Sequence, residues 1–193
     1  MKLIGLTGTA GAGKDTVADI ICRKYGTYNS STGDYVRAMT RYTFDLPPSA
    51  TPVRDQLYEV ATFMRQQLDP AITVKFCLFK SQELGHDQVL ITGIRTMGEA
   101  NAIRANGGIV VAVDADPQVR YERIAKRKRD SESLKTIEQF LKQDEHENKG
   151  KASHGDNRGI HYIIENADEV ILNNGTIKEL KQYVSDTLEP HFL

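Results

Sequence analysis

Leu3-Ile4-Gly5-Leu6-Thr7-Gly8-Thr9-Ala10-Gly11-Ala12-Gly13-Lys14-Asp15-Thr16 is the stretch that decides how this chain folds. The apolar run from Leu3 to Leu6 reads as a buried strand. A glycine-rich turn follows, and then a helix with Val17, Ile20 and Ile21 on one face. Gly8, Gly13 and Lys14 carry the spacing G-x-x-x-x-G-K of a phosphate-cradling loop, in the strand–loop–helix context such a loop requires. Glycines let the backbone turn tightly and approach an anion without a Cβ in the way. The N–H groups so exposed, and the positive end of the helix, then face the phosphates. Gly8, Thr9, Ala10, Gly11, Ala12 and Gly13 are thus the candidate donor-phosphate residues, with Lys14 as a mobile charge for the β- and γ-phosphates. The next position is Asp15, where many such loops carry Ser or Thr, and Thr16 comes one place later. Asp15 and Thr16 are candidate Mg²⁺ contacts, through water. Asp15 serves equally well as an acidic residue in the first helical turn.

Working outward, the chain has 193 residues, enough for one domain with a sizeable core. A formal net charge of -1 argues against a general nucleic-acid or membrane surface. No run of eighteen apolar residues is present, so no membrane span is expected. Met1-Lys2 leads straight into the first strand, which predicts no signal peptide and a cytoplasmic location. Cys22 and Cys77 fall on predicted helices and read as buried thiols in a reducing compartment. His146, His154 and His161 lack the spacing of a metal site.

Further along, Thr27–Ser31, Val89–Ile91, Ile109–Val113 and Glu169–Leu172 read as four more strands, each separated from the next by helical sequence. Strands apolar throughout and alternating with helices predict a parallel sheet covered on both faces. Ligands bind beyond the carboxyl ends of such strands, where Thr92-Gly93-Ile94-Arg95 stands. A strand end of this kind often carries an Asp that orders a metal's waters; here Thr92 takes its place. After the second strand, Thr32 or Asp34 is suited to cap a helix that presents Asp34 and Arg37 on one face. Pro47-Pro48 then breaks the helix, and new helices are expected from about Thr51 and from Asp69-Pro70 to Leu84. Pro117 suits a first helical position. On that helix Arg120, Arg123 and Arg127 recur at three and four residues, a basic face suited to phosphate, to nucleic acid or simply to solvent. A charged helix from about Leu134 to His146 follows, then polar sequence to Arg158, and the final helix is expected to run to about Leu188.

Ser31-Thr32-Gly33-Asp34-x-x-Arg37, Gly93-Ile94-Arg95-x-x-x-Glu99-Ala100 and Arg123-x-x-x-Arg127 resemble the corresponding stretches of adenylate kinase and the deoxynucleoside monophosphate kinases. The loop also resembles theirs in setting a non-hydroxyl residue between Lys14 and Thr16. The resemblance covers nearly the whole chain and is loose over residues 45–85 and the lid. It implies an α/β P-loop NTPase three-layer sandwich. That fold has a five-stranded parallel sheet, an acceptor-binding insert at about 34–85 and a lid at about 127–158. It further implies that Arg37 and Arg95 hold an acceptor phosphate, that Thr32, Gly33, Asp34 and Gly93 line the acceptor site, and that Glu99 contacts the acceptor base. Arg123 and Arg127 would close from the lid onto ATP, with Asn173 and Gly175 edging the adenine.

The activity so implied is transfer of the γ-phosphoryl of ATP, with Mg²⁺, to a small nucleotide, foremost a nucleoside or deoxynucleoside monophosphate. The partner is therefore a small molecule, with neither nucleic acid nor membrane involved, and with monomer and homodimer both open. Two rivals stand beside it. Dephospho-coenzyme A kinase shares the fold and the opening Gly-Leu-Thr-Gly, and with a hydroxyl acceptor Asp34 would be the base. A non-catalytic nucleotide-binding regulator or an ATPase is the other, favoured by Thr92.

Overall fold

Strands built from Val, Ile and Leu need cover on both faces, and a helix after each strand supplies it; the second strand, Tyr28–Ser31, departs from the expected apolar pattern, with only Ser30 buried. The computed structural model describes residues 1–127, 136–148 and 159–192. In chain order the elements are β1 (Lys2–Gly8), α1 (Lys14–Tyr25), β2 (Tyr28–Ser31), α2 (Thr32–Thr43), α3 (Arg54–Phe63), a π-helical turn (Met64–Leu68) and α4 (Ile72–Glu83). There follow β3 (Gln88–Thr92), α5 (Met97–Ala105), β4 (Ile109–Asp114), α6 (Pro117–Arg127), α7 (Ile137–Asn148), α8 (Gly159–Glu165), β5 (Glu169–Leu172) and α9 (Ile177–Phe192).

The sheet has the order β2-β3-β1-β4-β5 and is parallel throughout. β1 sits at its centre, with Leu3 opposite Val89 on one side and Gly8 opposite Val113 on the other. Because side chains alternate along a strand, β1 feeds two separate cores. Ile4 and Leu6 join Leu90, Val111, Val113 and Ile171 under α1 and α9. Leu3 joins Val89, Ile91 and Val110 under α4, α5 and α8. All five strands therefore deliver their carboxyl ends to one edge, and the loops there carry the polar chemistry.

The expected elements are present, with shifts that have local causes. Ser31, not Thr32 or Asp34, is the N-cap of α2. The Thr32 hydroxyl is instead drawn off to Gly93 O, 2.8 Å away, and Asp34 pairs with Arg37. α3 begins at Arg54, and its exit widens into the π-helical turn, which nothing in the sequence pattern announces. α9 runs on past Leu188 to Phe192 because Phe192 stacks on Tyr25, centroids 4.0 Å apart, while its carbonyl accepts from Lys2 Nζ at 2.6 Å. Cys77 is buried as expected but Cys22 only half so, and both are free thiols. The expected lid falls in large part on residues 128–135 and 149–158, outside the described residues. No described helix is long and apolar enough to cross a membrane.

Candidate functional site

The loop between β1 and α1 begins where no side chain fits. Gly8 has φ 140°, and a Cβ there would lie 1.9 Å from Val113 O. Thr9 is buried, and its hydroxyl donates to Asp114 Oδ1 at 2.6 Å. The Lys14 ammonium folds back over the loop, donating to Thr9 O at 2.6 Å. Ala12 O accepts from Asn173 Nδ2 at 2.8 Å and from Arg123 Nη1 at 3.4 Å. Gly13, φ 97°, precedes α1, with Asp15 exposed and Thr16 half-buried on its first turn.

On the β2–β3 side, α2 brings Thr32, Gly33, Asp34 and Arg37 to the same edge. Arg37 donates to Asp34 Oδ1 at 2.5 Å. Gly93 has φ 88°, and a Cβ there would meet the Thr32 hydroxyl at 2.6 Å, so this glycine lets the two segments close on each other. Arg95 follows, exposed, with its backbone N–H donating to Glu99 Oε2 at 2.7 Å.

Glu99, expected at the acceptor base, is fully buried in this conformation. Its Oε1 accepts from Arg65 Nε at 2.9 Å and from the Thr73 hydroxyl at 2.6 Å; its Oε2 accepts from the backbone of Arg95 and, at 3.2 Å, of Thr96. Glu99 thus ties the π-helical turn and α4 to the Arg95 segment. The Glu three residues beyond Thr96 is a capping-box signal readable in the sequence. Arg65 and Thr73, its distant partners, carry none.

On the β4–β5 side the adenine candidates divide. Asn173 is buried, and its amide is committed to Ala12 O and, at 3.5 Å, to Arg123. Gly175 is exposed in the turn before α9, beside the Glu179 carboxylate that accepts from Thr176 N at 2.7 Å. Arg123 lies against the loop, whereas the side chain of Arg127, the last residue of α6, is outside the described part. Two further participants, Asp114 and Asp144, were not singled out from the sequence, and Arg120, read only as part of a basic helix face, proves to be buried. Asp114 ends β4 and holds Thr9. Arg120, 2% exposed, reaches Ala10 O at 3.3 Å. Asp144 of α7 binds Arg120 through both oxygens, at 2.7 and 2.6 Å. A carboxylate at a strand end was the available signal for Asp114; for the other two the pattern offered only a basic face and a charged helix.

For a divalent cation the donor set is sparse. No group of three or more His, Cys, Asp or Glu that could hold a metal ion occurs among the described residues, and the Thr92 hydroxyl donates to Asn29 at 3.3 Å. Asp15 and Thr16 supply oxygen at the loop exit. Such a set fits a Mg²⁺ that arrives on a nucleotide with its waters.

A parallel sheet of this order, with a glycine-and-lysine loop leaving its central strand, defines a P-loop NTPase fold. The sequence pattern of an AAA domain family matches residues 4–150, and the chain belongs to that family. A UPF0200 protein of Saccharolobus islandicus is 28% identical over 185 residues, covering 94% of this chain and 89% of the relative. Another, from Methanothermobacter thermautotrophicus, is 29% identical over 190 residues, covering 97% and 90%. Shikimate kinase from Bacteroides thetaiotaomicron superposes with a TM-score of 0.59 at 16% identity, covering 97% of this chain and 98% of that one; at that identity the likeness is one of fold.

Proposed function

We propose that the chain is an ATP- and Mg²⁺-dependent phosphotransferase that moves the γ-phosphoryl group to a small nucleotide, foremost a nucleoside or deoxynucleoside monophosphate. One observation carries the reading. The glycine loop leaves the central strand; Arg37 and Arg95 follow β2 and β3 on one side of it, and Arg123 follows β4 on the other. Donor and acceptor groups therefore flank the loop from opposite sides, as an in-line transfer needs. A fold neighbour that is a shikimate kinase points the same way.

In this reading Lys14 and the loop N–H groups hold the donor phosphates, and Arg37 and Arg95 orient the acceptor phosphate. Arg123, with Arg127, neutralises charge developing on the migrating group. Thr32, Gly33 and Gly93 shape the acceptor floor. Asp15 and Thr16 face the metal's waters; Mg²⁺, when bound, spreads the charge of the β- and γ-phosphates. A phosphate acceptor is already ionised, so no base is required. Residues 34–85 form the acceptor insert and about 127–158 the lid that excludes water.

The hydroxyl-acceptor reading keeps one observation in its favour: Asp34, its side chain 70% exposed, stands beside Arg37 where a base could serve. The deciding assay is phosphoryl transfer from ATP–Mg²⁺ across ribo- and deoxyribonucleoside monophosphates plus dephospho-coenzyme A, with products identified by mass. Diphosphate formation supports the proposal. Phosphorylation of dephospho-coenzyme A alone moves the acceptor to a hydroxyl and makes Asp34 the base to test. ATP binding or hydrolysis without transfer points to the regulator or ATPase.

A further inference from the structure

Three carbonyls of the phosphate loop are each held by a side chain. Thr9 O accepts from Lys14, Ala10 O from Arg120 and Ala12 O from Asn173. A trans peptide is planar, so its C=O and the following N–H point in opposite directions. A carbonyl held on one side turns the next residue's N–H to the other. Holding Ala10 O aims Gly11 N–H away from α6, and holding Ala12 O aims Gly13 N–H away from Asn173. We propose that Arg120, clamped by Asp144, and Asn173 are positioning residues for the loop: they keep the carbonyls of Ala10 and Ala12 turned outward, so that the N–H groups of Gly11 and Gly13 face the donor phosphates.

The surroundings of Arg120 fit that task. Its Nε donates to Ala115 O at 3.0 Å, which locks the guanidinium plane, and Nη1 reaches Ala10 O. The ring of Phe140 covers it, 5.5 Å from the guanidinium carbon. α6 also abuts the loop closely enough that a Cβ on Gly11 would fall 2.8 Å from Arg120 O. A guanidinium so buried must be paired, and the two-pronged carboxylate of Asp144, its side chain 10% exposed, supplies the pairing. Asp144 sits on α7, within the stretch read as the lid, so Arg120 of α6 links that stretch, by an ion pair, to the loop carbonyl of Ala10, by a hydrogen bond. Asn173 does the corresponding work from the end of β5. Its Nδ2 is 2.5 Å from where a Cβ on Gly13 would stand, which explains a glycine there.

The inference rests on the loop being a phosphate site, and the test separates the two. Affinities for tripolyphosphate–Mg²⁺ and for ATP–Mg²⁺ are measured by titration calorimetry on the full chain and on Asn173→Ala, Asp144→Asn and Arg120→Lys. The last two cover one another should either fold poorly, and melting temperatures identify the folded variants. The expected result is that each folded variant loses about tenfold or more for both ligands, by the same factor, since the defect lies at the phosphates. Loss of ATP with tripolyphosphate unchanged in Asn173→Ala would make that residue an adenine contact and overturn its positioning role. Unchanged affinity for both ligands in folded Asp144→Asn or Arg120→Lys would reduce the ion pair to scaffolding. If the parent chain binds neither ligand, the phosphate-loop reading itself fails, and the positioning roles fall with it.

Discussion

Removing the Glu99 carboxylate should destabilise the chain strongly before it touches any ligand. The side chain is fully buried, and its oxygens satisfy Arg65, the Thr73 hydroxyl and the backbone N–H groups of Arg95 and Thr96. Glu99→Ala leaves these donors without their acceptor. Each orphaned buried donor costs about 1–3 kcal/mol, and a buried ion pair stripped of one partner typically costs about 3–5 kcal/mol. Arg65 is 18% exposed, so water recovers part of its loss. The expected total is therefore about 3–5 kcal/mol, not the sum over donors. For a chain of this size that corresponds to a fall in Tm of roughly 6–20 °C. Thermal and urea unfolding followed by circular dichroism would read it. A Glu99→Ala variant that melts within 2 °C of the parent would refute the reasoning and return Glu99 to the list of ligand contacts.

Other outcomes follow from the same geometry. Lys14→Ala should lower phosphoryl transfer by at least about 100-fold with the fold retained, whereas Arg95→Ala should raise the acceptor KM and spare ATP affinity; ATP binding lost with acceptor use intact would reverse that assignment. Gly93→Ala forces a side chain into φ 88° and against the Thr32 hydroxyl, and should lower stability by about 1–3 kcal/mol, read by urea unfolding. Burial pushes the Cys77 thiol up to about 12. Between pH 9 and 12 the unfolded chain therefore releases a proton the folded one keeps, and stability should fall with rising pH by up to about 1.4 kcal/mol per unit. Cys77→Ala should remove that slope, as urea titrations at pH 8 and 10 would reveal.

Much of this protein is written in local pattern. The apolar runs, the glycine spacing from Gly8 to Gly13 and Lys14 after it settle the strands, the loop and the parallel sheet, because each signal lies within one strand or one turn and its meaning needs no distant partner. The positions of Arg37 and Arg95 are legible for the same reason: a strand end delivers whatever follows it to the carboxyl edge of the sheet. The roles of Glu99, Arg120 and Asn173 lie elsewhere. Their partners are Arg65, Asp144 and Ala12, from 24 to 161 positions away in the chain. Only the strand order, with β1 between β3 and β4, sets Thr9 beside Asp114. Only the packing of α6 and α7 turns an arginine on a basic helix into a buried clamp. A charged residue on a polar helix face reads as solvated until a second element covers it. Burial, and the pairing that burial demands, are properties of the assembled layers, and those layers decide which polar residues hold the loop in shape and which face a ligand.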